Sequence, residues 1–348
     1  MSAIPTFPHP APRQDWLALG EAEAILEPAL PIIDPHHHLW TRDGQDYFLD
    51  ALLADTGSGH NVVATVFAQC TWAYRTDGPE ALRPVGETEF VAGVAEEAAR
   101  RGSKTRVCAG IVGYADLTLA DGVDGAEGVD AVLAAHVAAA GGRFRGIRHL
   151  TARDEGFRAG IAPPPAAGIM GTAAFRAGFA RLAGFGLSFD AWLYHTQVPE
   201  LTRLAREFPG TPIVLDHTGG PLGIGPYQGR RDEVFATWRS AIEALAQCPN
   251  VSVKLGGLAM MVAGFGYHER PRPPSSQELA DAWRPYMEAC IAAFGAERCM
   301  FESNFPVDKA MCSYAALWNA FKRIAAGASA AEKGALFHDT AARVYRID

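Results

Sequence analysis

The sequence lacks a long uninterrupted hydrophobic run, although 49% of its 348 residues are hydrophobic. No stretch approaches the roughly 18 apolar residues that a membrane-spanning helix needs. The N-terminus has no basic start followed by an apolar run, so we expect no secretory signal. Basic residues are in the minority, 31 against 39 acidic ones, and the formal net charge is −8. Because an acidic protein binds the phosphate backbone poorly, nucleic acid is not an expected partner.

Closely spaced cysteine pairs are also absent. The 6 cysteines are scattered without a C-x-x-C pair, so we expect neither a zinc knuckle nor a disulfide framework. Free thiols fit a reducing compartment, and we expect a cytoplasmic protein. There is no internal repeat, and no linker rich in Gly, Ser or Pro divides the chain. We therefore expect one domain over residues 1–348, with residues 1–30 as an N-terminal extension packed on it.

Short apolar, β-branched runs alternate along the chain with amphipathic helical patterns. The predicted strands are residues 31–38, 62–69, 106–112, 144–149, 187–193, 212–217, 251–255 and 299–304. Apolar residues at three-and-four spacing predict helices between them, for example over residues 87–101 and 198–208. This alternation predicts an α/β fold, a single-domain (β/α)8 TIM barrel. Residues 329–346 are expected to form two short helices that close it.

Two proline-containing loops, residues 151–171 and 256–276, follow the fourth and seventh predicted strands. In a barrel, the loops that follow strands lie on the face where active sites are built. We expect both loops to shape a substrate site, with surface decoration as the alternative. Tyr74 and Trp72, just after the second predicted strand, are further candidate lining residues, with plain packing as the alternative. Exposed apolar loops would also allow contacts in a homo-oligomer.

The strongest chemical motif is IIDPHHHLW, residues 32–40, where the first predicted strand ends. Side chains alternate along a strand, so Asp34, His36 and His38 are expected on one face and His37 on the other. Two imidazoles aimed into a barrel mouth can bind a divalent metal or orient a substrate carbonyl. Histidines satisfied by core carbonyls are the structural alternative.

Two later strand ends carry further candidate groups. His217 ends the sixth predicted strand before two glycines, and it is a candidate third metal ligand beside His36 and His38. Glu302 and Asn304 share one face at the end of the eighth predicted strand by the same alternation. The sequence therefore brings histidines and a carboxylate to one end of the predicted barrel.

Cationic residues end two other strands. Alternation places only one of Arg148 and His149 inward, where a cation would clamp a substrate carboxylate or polarise a carbonyl. Lys254, on the seventh predicted strand, is expected either to bind an anion or to pair inside the barrel with Glu302 or Asp190. We therefore treat Arg148, His149 and Lys254 as candidate substrate-binding residues.

These motifs resemble the amidohydrolase superfamily. The D-x-H-x-H strand, the later Asp-His before the glycines and a last strand running into S-x-[aromatic]-P carry the resemblance. The runs RGIRH at 145–149, VKLG at 253–256 and TAARVY at 340–345 narrow it to the lactonase-like branch. That branch includes 2-pyrone-4,6-dicarboxylate lactonase, L-fuconolactonase and 4-sulfomuconolactone hydrolase.

The resemblance implies a hydrolase that opens a lactone or related cyclic ester. Water attacks the carbonyl carbon, and an aspartate on the last strand acts as general base. The resemblance also implies one divalent metal, with Zn²⁺ the leading candidate, on His36, His38 and His217, although some members of the branch dispense with metal. The expected partner is a small carboxylate-bearing lactone.

The last strand departs from the family pattern. Asn304 stands where relatives generally have the aspartate, and Glu302 stands where they have glycine. A neutral amide cannot take a proton from water, and a buried glutamate is costly unless it is paired or protonated. Three interpretations stay open. Glu302 has become the base or a metal ligand; His217 is the base in a metal-poor site, with Asn304 holding water or substrate; or the chemistry is lost or changed, as in a decarboxylase, a hydratase or a non-catalytic barrel that binds a small acid.

Overall fold

The computed structural model describes residues 4–119, 128–159 and 163–347 of the protein. Within them, eight parallel strands form one sheet in which each strand pairs with the next along the chain. They are β1 Pro31–His37, β2 Asn61–Ala68, β3 Arg106–Gly113, β4 Phe144–Ile147, β5 Ser188–Ala191, β6 Ile213–Leu215, β7 Val251–Leu255 and β8 Cys299–Phe301. The eight predicted strands and the (β/α)8 fold are confirmed.

A helix follows each strand and packs on the outside of the sheet. The helices are α1 Leu49–Thr56, α2 Val85–Arg100, α3 Val129–Ala139, α4 Ala173–Arg181, α5 Val198–Glu207, α6 Arg231–Leu245, α7 Ser276–Phe294 and α8 Tyr314–Ile324. Local sequence sets several of their starts. A capping box formed by Ser275 and Glu278 begins α7, and Pro199 lies in the first turn of α5.

The barrel closes where β1 meets the segment that follows β8. The Asn304 N–H donates to the His36 carbonyl at 2.9 Å, and the His38 N–H donates to the Phe305 carbonyl at 2.8 Å. Six side chains from five of the strands fill the barrel interior; they are Ile33, Ala64, Val66, Val112, Val214 and Met300. The closure therefore joins two of the candidate motifs directly, through the backbones of His36 and Asn304.

Short C-terminal helices cover the interior near the N-terminal ends of the strands. Ala330–Gly334 and Thr340–Tyr345 are joined by the π-helical turn Ala335–Asp339. The Tyr345 side chain packs in the same buried cluster as the interior residues of the barrel. The predicted closing helices are thus confirmed, and they leave the opposite end of the barrel open.

The loops at that opposite end include most of the two predicted proline-containing loops; residues 160–162 lie outside the described residues. The loop after β1 forms a hairpin of Trp40–Arg42 and Gln45–Tyr47. Residues 5–13, which we name the N-terminal strap, run across the same face. In the described part of the chain, every helix is too short or too polar to cross a membrane.

Candidate active site

A cavity of about 530 Å³ opens at the C-terminal ends of the strands. Much of its lining is aromatic or contains sulfur: Phe7, Trp40, Cys70, Trp72, Trp192, Tyr194, Met260 and Met261. Arg42 and Arg148 also line it, whereas none of the aspartates and glutamates that the structure describes does. The cavity therefore combines aromatic and sulfur-containing side chains with polar ones, and its permanent charge is positive.

Three histidines lie together at the bottom of this cavity. His38 and His217 line it, and the His36 ring lies behind them, with its centroid 4.9 Å from that of His38 and 4.4 Å from that of His217. Burial lowers the pKa of His36 well below its ordinary value, and the nearby Lys254 lowers it further. Burial and Arg148 do the same to the pKa of His38. His36 and His38 are therefore neutral at physiological pH.

Neighbouring groups determine which ring nitrogen of His36 and His38 carries the proton. His38 Nδ1 lies 2.8 Å from the Ala68 carbonyl oxygen, which can only accept, so the proton is on Nδ1. His36 Nε2 lies 3.1 Å from Arg148 Nη1, which can only donate, and Nδ1 lies 3.0 Å from Glu302 Oε2, which can only accept; these two contacts place the His36 proton on Nδ1, although Lys254 Nζ also lies 3.1 Å from Nδ1. Both histidines therefore carry their lone pair on Nε2.

Glu302 is fully buried and joins His217 to His36. Its Oε1 accepts the His217 backbone N–H at 2.9 Å and lies 2.7 Å from His217 Nδ1, while Oε2 lies 3.0 Å from His36 Nδ1. Burial alone would raise the pKa of Glu302, but His217 and His36 lower it to about 2. An ionised Glu302 that does not line the cavity is a weak base. It holds the Nδ1 proton of His217 and leaves Nε2 as the acceptor.

A second set of buried charges lies deeper in the barrel, around Lys254. Its Nζ lies 2.8 Å from Asp190 Oδ2, 3.0 Å from Asp216 Oδ1 and 3.1 Å from His36 Nδ1. The Tyr345 hydroxyl donates to Asp190 Oδ2 at 2.6 Å. Burial alone would lower the pKa of Lys254, but Asp190 and Asp216 raise it. The predicted pairing with Asp190 is present. Lys254 does not line the cavity, and its assignment as a substrate-binding residue stays a prediction.

Asn304 lines the cavity and is oriented by a residue that the sequence motifs missed. Its Nδ2 donates to Asp308 Oδ1 at 2.9 Å, and burial raises the pKa of Asp308 well above its ordinary value. Asn304 Oδ1 has no hydrogen-bond partner among the described residues. The amide therefore presents an acceptor oxygen, which can hold a water molecule or a substrate hydroxyl. The only sequence signal for Asp308 is its spacing of four residues from Asn304.

Backbone conformation aims these side chains. His217 and Asn304 have φ angles of 56° and 55°, in the left-handed region that side chains rarely adopt. A Cβ on Gly257, where φ is 67°, would lie 2.4 Å from His217 Cβ, and one on Gly256 would lie 2.4 Å from Glu302 Cγ. The two glycines that follow β7 are therefore required by the close packing of His217 and Glu302.

The described residues contain one group of three donors close enough to share a metal ion. It consists of His36, His217 and Glu302, whose ligand atoms lie within 4.8 Å of one another. The predicted set had His38 in place of Glu302. Imidazole nitrogens and a carboxylate are suitable ligands for zinc.

The charges around His36 do not suit a metal ion. Lys254 Nζ lies 3.1 Å from His36 Nδ1, and Arg148 Nη1 lies 3.1 Å from His36 Nε2. A divalent ion bound to either ring nitrogen would face a permanent positive charge at close range. The residues as arranged therefore do not fit a metal ion unless Lys254 or Arg148 moves.

Of the remaining candidate residues, Arg148 lines the cavity, whereas His149 and Tyr74 do not. His149 Nδ1 accepts the Leu117 N–H at 3.2 Å, on the other side of the strand end. Of the two aromatic residues predicted after the second strand, Trp72 lines the cavity and Tyr74 does not. Strand alternation explains the outward position of His149, and the irregular path of the loop after β2 explains that of Tyr74.

Glu87 on α2 holds the loop after β2 in this path. One carboxylate oxygen accepts the backbone N–H groups of Cys70 at 3.1 Å and Trp72 at 2.8 Å. On either side of Trp72, Thr71 and Ala73 have φ angles of 66° and 54°. Burial raises the pKa of Glu87 to about 7. A buried carboxyl group on a helix thus directs Trp72 into the cavity.

Asp34 lies apart from the histidines, which corrects the predicted shared face. Its Oδ1 accepts the Ser303 N–H at 3.0 Å, and its Oδ2 accepts the Tyr314 hydroxyl at 3.0 Å. The register of β1 against β2 shifts between Asp34 and His37, so strict alternation fails at the point where it was applied. His37 does point away from the cavity, with Nε2 2.9 Å from Thr65 Oγ1.

Known proteins share this fold and sequence pattern. A family model described as amidohydrolase matches residues 33–347. The chain is 36% identical over 341 residues to the uncharacterized protein y4mH of Sinorhizobium fredii, covering 91% of this chain and 99% of that protein. It is 27% identical over 329 residues to an L-fucono-1,5-lactonase of Burkholderia multivorans, covering 90% and 96%. A crystal structure of an amidohydrolase from Burkholderia multivorans with bound Zn is similar with a TM-score of 0.70 at 26% identity, covering 91% and 99%.

Proposed function

The chain belongs to the amidohydrolase family, and from that premise we propose that it hydrolyses a small carboxylate-bearing lactone in the cavity above His217. The observation that carries the proposal is the pair formed by His217 and Glu302. A buried carboxylate holds Nδ1 of the histidine, and Nε2 is left to accept a proton beside a cavity. The relative named as an L-fucono-1,5-lactonase supports lactone ring opening as the reaction class.

In the proposed reaction, His217 Nε2 takes a proton from water while the water oxygen attacks the lactone carbonyl carbon. Arg148, a permanent cation that lines the cavity, stabilises the negative charge on the carbonyl oxygen. The intermediate then breaks the ring C–O bond, and His217 returns the proton to the leaving oxygen. The product is the open hydroxy acid. Glu302 stabilises the protonated imidazole, as a buried carboxylate does beside other catalytic histidines.

The charge of the cavity lining supports an anionic substrate. Arg42 and Arg148 are its charged side chains, and carboxylates are absent from the lining among the described residues. A sugar lactone rich in hydroxyl groups would gain most from carboxylate acceptors. Trp40, Trp72 and Trp192 instead offer flat apolar surfaces. We therefore infer an aromatic or otherwise apolar lactone with a carboxylate substituent.

The test is proton release from a panel of lactones, followed with a pH indicator, with and without a chelator. We expect turnover of carboxylated aromatic lactones, with the rate in chelator within about twofold because Lys254 and Arg148 oppose a metal ion beside His36. Turnover that chelator abolishes and Zn²⁺ restores would contradict the metal-independent reaction. Release of CO₂, or silence across the panel, would contradict lactone hydrolysis.

Exchanging Asn304 for Asp tests the role of its amide. Asn304→Asp would remove the Nδ2 donor to Asp308 and put a buried carboxylate beside it, so we expect turnover to fall by about tenfold or more. Asn304→Ser, which keeps a small hydrogen-bonding group, is the matched control. A large gain of hydrolysis in Asn304→Asp would show that the amide has no dedicated role.

A further inference from the structure

His9 lies between two recesses at the mouth of the barrel. One is the main cavity, and the other is a smaller recess of about 90 Å³. His9, Trp40, Arg42 and Val307 line both, so the two recesses meet at these side chains. The rest of the smaller recess has an apolar part, formed by Pro10, Ala11, Pro12, Tyr47, Ala51 and Pro306, and a polar part, formed by Gln14, Asp43, Gln45, Asp46 and Lys309.

The N-terminal strap that carries His9 is fixed to the loop after β4. The Phe7 N–H donates to the Arg158 carbonyl at 2.8 Å, and the Arg158 N–H donates to the Pro5 carbonyl at 2.9 Å. The Phe7 and Phe157 rings meet edge to face, with centroids 6.1 Å apart. Phe7 itself lines the main cavity. This end of the strap is therefore part of the wall around the proposed substrate.

The His9 ring fixes the strap to two further loops. Nε2 lies 2.8 Å from the Val307 carbonyl oxygen, so Nε2 carries the proton, and Nδ1 lies 3.5 Å from the Met261 N–H nitrogen. Burial lowers the pKa of His9 to about 4, so the ring is neutral. With a partner for each nitrogen, the ring is held in one orientation between the loops that follow β7 and β8.

We propose that His9 is a specificity-determining residue that separates the substrate cavity from the smaller recess. The intact partition admits compact lactones and excludes those with an extended apolar substituent. Without the imidazole, the recess becomes continuous with the cavity and accepts a short alkyl chain or ring. This inference rests on the proposed function, because it treats the main cavity as the substrate site.

The experiment compares two carboxylated dihydrocoumarins that differ only by a propyl group on the aromatic ring. We expect His9→Ala to raise kcat/KM for the propyl compound by about tenfold relative to the unsubstituted one. His9→Gln keeps a donor for Val307 and an acceptor for Met261, so its ratio should stay within about threefold of the wild-type ratio. Because the readout is a ratio between substrates, a uniform loss of active protein cancels.

Binding separates failure of the partition from failure of the proposed function. The two ring-opened acids are titrated against the intrinsic fluorescence of the protein, since Trp40 lines both recesses. If the wild-type protein hydrolyses neither lactone, the proposed function fails, and the same change in affinity ratio in His9→Ala still supports the partition. An affinity ratio in His9→Ala that equals the wild-type ratio, or no binding of either acid, overturns the proposal that His9 separates the two recesses.

Discussion

The bottom and the walls of the cavity differ in the elements that form them and in the side chains that they present. The floor, which we define as His36, His38, His217, Glu302 and Asn304, comes from strand ends, and neighbouring polar groups orient its side chains, while His217 Nε2 and Asn304 Oδ1 are left without a hydrogen-bond partner among the described residues. The walls come from loops and from the N-terminal strap, and they are mainly aromatic or sulfur-containing side chains. Chemistry and selectivity are thus assigned to separate parts of the chain. Substitutions in the floor should alter the rate or the fold, and substitutions in the walls should alter which substrate binds.

The largest effect is expected below the floor, at Lys254. Lys254→Met would remove the nearest positive charge from the buried Asp190 and Asp216, so we expect the free energy of unfolding to fall by about 3–5 kcal/mol. Urea denaturation measures it. Lys333→Met, which removes a partly exposed ion pair with Glu27, is the control and should cost about 1 kcal/mol or less. Equal losses of unfolding free energy in the two variants would show that the buried charges around Lys254 do not stabilise the fold.

Removing the proposed base should abolish most turnover while the protein stays folded. We expect His217→Gln to lower kcat by about 10²–10⁴-fold, the usual contribution of a positioned general base. The matched control is His195→Gln, at a buried histidine beyond β5 that does not line the cavity. Steady-state kinetics measure both variants. Full activity in His217→Gln would move the role of base to another residue.

The stability of the loop after β2, which forms part of the walls, should depend on pH through the protonation of Glu87. Its pKa of about 7 exceeds the ordinary value of 4.5, so the folded state holds a proton that the unfolded state has lost. Stability should therefore fall as the pH rises from about 4.5 to 7, by about 3 kcal/mol from this group. Glu87→Gln keeps an acceptor oxygen for the loop and should remove this fall. Denaturation of the wild-type and Glu87→Gln proteins at several pH values measures this fall in stability. Identical pH profiles for the two proteins would contradict its assignment to Glu87.

The smallest effect is expected at the exposed edge of the walls. Arg42 stacks on Trp40, with its guanidinium carbon 4.0 Å from the ring centroid. Arg42→Gln should raise KM for a carboxylated lactone by about threefold, with kcat unchanged, because a solvent-exposed charge contributes about 1 kcal/mol or less. The effect should shrink in high salt. A neutral lactone is the control, and an equal rise in its KM would exclude a role for charge.

The division between a floor from strand ends and walls from loops explains which parts of the site could be predicted from the sequence. All eight strands were found because buried parallel strands are short apolar runs between helical patterns. His36, His217 and Glu302 were found because they are polar residues at the ends of such runs. The predicted shared face of Asp34 and His36 was wrong because a register shift depends on the neighbouring strand, which local alternation does not contain.

The walls could not be predicted in the same way. The path of a loop is set by distant contacts, such as those of Glu87, so the sequence did not distinguish Trp72 from Tyr74 as the lining residue. Phe7 and His9 reach the cavity only because the strap is bonded to loops far away in the chain. Asp308 carries no motif of its own, and its role follows from the conformation of Asn304.

The closure of the barrel bears on how the protein gains activity as it folds. His36 and Asn304 stand near opposite ends of the chain, and a backbone hydrogen bond between them joins β1 to the segment after β8. Contacts of such long sequence separation form slowly, since the loop entropy must be lost before they stabilise anything. A partly folded chain would therefore hold individual strands and helices but not the complete floor. Recovery of catalysis during refolding should follow the final cooperative step and lag behind the return of helical circular dichroism.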